Sequence, residues 1–61
     1  MDFKTLRNWR VRVYRFNAAT GKETVRASWI INNRTEYEAS KEAEADIGRM
    51  ADVDDWTMTA I

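Results

Sequence analysis

Arg10, Arg12 and Arg26 are the side chains of this 61-residue chain whose type and spacing point most directly to chemistry. Around the first two, charged and apolar residues alternate. In an extended strand Arg10, Arg12 and Tyr14 then share one side, and Trp9, Val11 and Val13 the other. A guanidinium offers a planar fork of donors that matches two phosphate oxygens, and a tyrosine ring beside it can stack on a base. That combination suits a nucleic-acid partner. A second set is acidic: Glu42, Asp46, Asp52, Asp54 and Asp55 in the last third of the chain suit the basic surface of a partner protein.

Residues for catalysis are scarce. The serines are Ser28 and Ser40, and with no histidine or cysteine in the chain there is no base to activate a hydroxyl and no thiolate. No lysine lies in an apolar pattern, and Gly21 and Gly48 alone cannot build a phosphate loop. Asp52, Asp54 and Asp55 lack the glycine and terminal glutamate of a calcium loop. Glu42 and Asp46, four residues apart on a helix, are more simply exposed charges, with Glu42 favouring the helix N-terminus. The expectation is a protein with no catalytic residue, metal site or cofactor.

Charge is divided along the chain. Residues 1–34 hold eight basic groups against Asp2 and Glu23; residues 35–61 hold eight acidic groups against Lys41 and Arg49. The total is zero, yet the halves are opposite, which describes a sided molecule or one whose halves neutralise each other. The lack of cysteine fits a reducing compartment. No apolar run is long enough to span a bilayer, and MDFKTLRNWR has no leader-type apolar stretch. One cytoplasmic domain, monomeric or homodimeric and away from the membrane, is expected.

The elements that position these residues follow from periodicity. Asn8–Phe16 alternates as a strand, 17–22 forms a loop in which Gly21 supplies a positive φ, and Thr24–Ile31 alternates again with Val25, Ala27, Trp29 and Ile31 inward. From Asn32 to Ser40 two readings compete. Thr35-Glu36-Tyr37-Glu38 matches a capping box that starts a helix at Glu36. Alternatively Thr35–Ala39 is a third strand and Ser40 caps a helix over Lys41–Ala51. Strand register favours the second reading, because it sets Thr35, Tyr37 and Ala39 opposite Ile31, Trp29 and Ala27. Ala43, Ile47, Met50 and Ala51 form the apolar stripe of that helix. Residues 52–54 are a loop, and Asp55–Ile61 alternates as a last strand. The predicted fold is α+β, a small antiparallel sheet of three to four strands with one helix on one face, in the order β-β-β-α-β.

This arrangement bears on the arginine face. Glu36 and Glu38 of the third strand would lie beside Arg10, Arg12 and Arg26 and blunt their field, and a neutralised face is the favoured reading. Trp9, Trp29 and Trp56 fall on the covered side together with Val11, Val13, Val25, Ile31 and Met58. Tyr14, Phe16, Ile30 and Ile61 fall outward, as an apolar patch that suits a partner or a second copy.

Two resemblances add to this. Trp9-Arg10-Val11-Arg12-Val13, Thr20-Gly21-Lys22 and Ser40-Lys41-Glu42-Ala43-Glu44-Ala45 resemble the N-terminal AP2-like arm-binding domains of phage tyrosine integrases, over roughly residues 9–47. The resemblance implies a three-stranded sheet laid in the DNA major groove, with Arg10, Arg12 and Arg26 toward the DNA; the chain differs in a strand after the helix and in the helix's acidity. The layout around Tyr37-Glu38-Ala39-Ser40-Lys41-Glu42-Ala43 and the closing strand is similar to that of the small phage T7 type of inhibitor of bacterial RNA polymerase. Together these imply a phage or mobile-element protein that blocks a host macromolecule through a charged surface. The alternatives are a DNA-binding domain using the sheet and an assembly subunit that pairs through its open face.

Overall fold

A computed structural model describes residues 5–61 as strand β1 (Arg7–Asn17), strand β2 (Lys22–Arg34), helix α1 (Glu36–Ile47) and strand β3 (Asp55–Ala60). The charges of Asp2 and Lys4, and the start of the segment read for a leader, lie outside the described residues. The sheet has three strands in the order β2-β1-β3, with both pairings antiparallel. With one helix packed against it, the chain has the α+β architecture its periodicity predicts.

β1 takes the centre because it has the residues to fill a core. Val11 and Val13 are fully buried, and Ala43 of α1 meets them. Ala27, Trp29, Ile31, Ile47, Met50, Val53, Trp56 and Met58 pack around this nucleus. The helix buries only alanines completely, Ala39 and Ala43, which lets its axis come close to the sheet. Ala51, expected in the helix stripe, is exposed beyond the helix end. The hairpin closes as expected: the Gly21 and Thr20 amides donate to the Asn17 carbonyl, Asn17 Oδ1 accepts from Ala19 N, and Gly21 has φ +70°.

The third strand expected over Thr35–Ala39 does not form. That segment is the first turn of α1, and the element order is β-β-α-β. Thr35 Oγ1 accepts from the Glu38 amide at 3.2 Å, while Glu38 Oε1 accepts from the Thr35 amide at 3.2 Å. This box satisfies locally the donors a helix start leaves orphaned, and Glu36 and Glu38 sit where the helix dipole favours negative charge. A strand would have had to win the same residues through non-local contacts alone. The helix also stops at Ile47 rather than Ala51, with the Gly48 amide closing on the Glu44 carbonyl.

Val25 is a second correction. Val13 pairs with Ala27 but Tyr14 pairs with Val25, so Arg26 is an extra residue on β2. Directly opposed residues share a face, so Val25 turns outward beside Tyr14 and is 55% exposed. A similar shift separates Trp9↔Ile31 from Arg7↔Arg34. There Asn33 adopts φ +57° and its amide donates to Asn8 Oδ1 at 3.0 Å. Trp9 Nε1 donates to the Arg34 carbonyl at 2.9 Å and ties the two strand ends together. Among the described residues no helix is long and apolar enough to cross a membrane.

Candidate nucleic-acid interface on the uncovered sheet face

With α1 on the Val11–Val13 side, the other face of the sheet has no element of the described chain over it. Register lays out its rows. Arg10 lies between Ile30 and Thr59, Arg12 between Ser28 and Thr57, and Tyr14 between Val25 and Asp55, while Phe16 lies beside Glu23. Arg10, Arg12, Tyr14 and Phe16 therefore form a single line down the central strand, at steps of about 7 Å. Arg12 is exposed and Arg10 half-buried. Arg26, expected in the same set, sits in the β2 bulge, exposed and outside the paired rows.

Neutralisation by Glu36 and Glu38 does not occur. Both belong to α1, which packs on the opposite side of the sheet. Among the described residues no carboxylate lies within ion-pair distance of Arg10, Arg12 or Arg26. The ion pairs gather instead around α1: Arg34 Nε to Glu42 Oε2 at 3.4 Å, Lys41 Nζ to Glu44 Oε2 at 3.8 Å, and Arg49 to Asp46 at 4.0 Å. The carboxyl of Glu38 is held below its ordinary value. The Thr35 amide is the main cause, followed by the Thr35 hydroxyl, with the Arg34 charge adding to them.

Four of the five acidic residues singled out by sequence have separate local partners. Glu42 and Asp46 are matched with Arg34 and Arg49. Asp54 works within the fold: its amide donates to the Tyr14 carbonyl at 3.0 Å, and its Oδ2 accepts from the Phe16 amide at 2.6 Å. The pairing of β1 with the β3 end thus continues through a side chain and fixes the backbone beneath Phe16. Asp55 Oδ1 accepts from the Trp56 amide at 2.8 Å, and Asp52 stands exposed at φ +61°. No three acidic side chains among the described residues come together as a metal-holding group.

Three hydroxyl residues were not picked out from the sequence as binding groups. Ser28 and Thr57 flank Arg12 from both neighbouring strands, and Thr59 flanks Arg10 from β3 opposite Ile30; the three supply neutral donors beside the cations. Alternation in Asp55–Ile61 already placed Thr57 and Thr59 opposite in facing to Trp56 and Met58; their neighbours across the sheet emerge only from register. Beyond the aromatic end, Arg15, Phe16, Asn17, Ala18, Ala19 and Thr24 line a depression of about 500 Å³. No protein family, curated protein or solved structure matches the chain.

Proposed function

We propose that this chain is a binding protein that engages DNA through the uncovered face of its sheet. The observation that carries the proposal is the pair Arg10 and Arg12 on the central strand, flanked by Ser28, Thr57 and Thr59 and not matched by a described carboxylate. Arginine forks and small hydroxyls are the groups that hold phosphate oxygens, and a rigid strand presents them at fixed spacing. The distribution of charge also supports it: five acidic residues lie on α1, across the sheet, so a chain of zero net charge still offers DNA a cationic end at Arg10 and Arg12, with Asp55 and Glu23 confined to the Tyr14–Phe16 end of the face. Blocking a host protein through Glu42, Asp46, Asp52, Asp54 and Asp55 has less support, since four of these five already have partners within the chain.

The test is titration of labelled DNA, as single strand and as duplex, at two ionic strengths. Binding at low salt should weaken steeply as salt rises. Replacing Arg10 and Arg12 together by alanine should reduce the slope of log affinity against log salt by about 1.4–1.8, for two lost phosphate contacts. Failure of both forms to bind at low salt defeats the proposal.

A further inference from the structure

We infer that the nucleic acid taken by this face is single-stranded, an inference that rests on the DNA-binding reading above and narrows it. Tyr14 and Phe16 stand in the same line as Arg10 and Arg12, with Phe16 49% exposed and Tyr14 half-buried against its neighbours. A duplex offers a protein groove only base edges, because each base face is covered by the next. Two rings on a flat sheet gain little from edges. In an unpaired strand the faces are free, and a base stacked on an aromatic ring contributes about tenfold in affinity.

The rest of the face fits this partition. Arg10 to Phe16 spans about 20 Å, enough for a few extended nucleotides. Asp55 lies beside Tyr14 and Glu23 beside Phe16. These carboxylates repel phosphates from the aromatic end and accept from exocyclic amino groups, so bases settle over the rings while phosphates run over the arginines. The platform is also held in place. The Phe16 amide is bound by Asp54, and the Tyr14 carbonyl accepts from the Asp54 amide, so both aromatic positions are braced from β3's end.

The experiment is fluorescence anisotropy at about 50 mM salt. A labelled single strand of about ten bases is compared with the same sequence as a hairpin duplex. The proteins are the parent, Tyr14→Leu, Phe16→Leu and Tyr14→Phe, each checked for an unchanged melting transition. The single strand should bind at least tenfold tighter than the duplex. Each leucine variant should lose about fivefold or more in single-strand affinity with the salt slope unchanged. Tyr14→Phe should bind like the parent. Duplex binding as tight as single-strand binding, or leucine variants that bind like the parent, would overturn the inference while leaving DNA binding standing. If neither form binds, the inference falls together with the DNA-binding proposal.

Discussion

Thr35 and Glu38 hold each other reciprocally: the threonine hydroxyl accepts the glutamate's amide, and the glutamate's carboxylate accepts the threonine's. This four-residue contact decides the electrostatics of a distant surface. By starting the helix at Glu36 it carries Glu36 and Glu38 to the α1 side and leaves Arg10 and Arg12 without the carboxylates a third strand would have placed beside them. Helix initiation and the charge of the sheet face are therefore one event.

Removing the cap should loosen the whole small fold. Thr35→Ala leaves the Glu38 amide without its acceptor and should cost about 1 kcal/mol, lowering the melting temperature by roughly 4–8 °C in a domain this size. Thr35→Ser keeps the acceptor and should stay near the parent. Thermal unfolding followed by circular dichroism checks both. A Thr35→Ala protein that melts with the parent would mean the helix starts elsewhere.

The same contact sets an acid dependence. Glu38's carboxyl sits below its ordinary value of 4.5, first because of the Thr35 amide, then the Thr35 hydroxyl and the Arg34 guanidinium. Its folded value is lower than its unfolded one, so its contribution is complete above the ordinary value and is lost as pH falls through the folded value. Glu38→Gln should therefore melt below the parent near neutral pH, and the gap should narrow as pH falls below about 4.5. A gap that stays constant across that window would contradict the reciprocal bond.

Much of this architecture was legible in residue order. Strands form where Asn8–Phe16 and Asp55–Ala60 alternate, and Gly21 marks the loop because the turn needs its positive φ. Two features were not. Residues 35–39 encode a capping box and a plausible strand at once, and only the energetic contest between local cap and distant register separates them. The bulge at Arg26 leaves no mark in Thr24–Ile31, which alternates without a glycine or proline. It exists only relative to β1. Both misreadings altered the same surface, one by adding glutamates to it and one by withholding Val25.

The tryptophans should respond unequally to loss of their indole nitrogens. Trp9 is buried, and its Nε1 donates to the Arg34 carbonyl, whereas Trp29 Nε1 is buried with no partner among the described residues. A buried unpaired donor costs free energy, so removing it recovers part of the area lost with the ring. Trp9→Phe should be more destabilising than Trp29→Phe by about 1 kcal/mol, read from urea unfolding. Equal losses would place a partner on Trp29.

One substitution made at two positions tests the bulge itself. Uninterrupted alternation puts Val25 in the core with Val13; the register puts Val13 against Ala27 at full burial and Val25 outward beside Tyr14. Valine and threonine have nearly the same shape, so the exchange isolates the cost of hiding a hydroxyl. Val13→Thr should lose about 1–3 kcal/mol, because the new hydroxyl enters an apolar site. Val25→Thr should stay within about 0.5 kcal/mol of the parent, since its hydroxyl meets solvent and threonine suits a strand. The two variants are compared by urea unfolding under the same buffer. Comparable losses at both positions would restore Val25 to the core and remove the bulge, and with it the outward placement of Val25 beside Tyr14 on the proposed binding face.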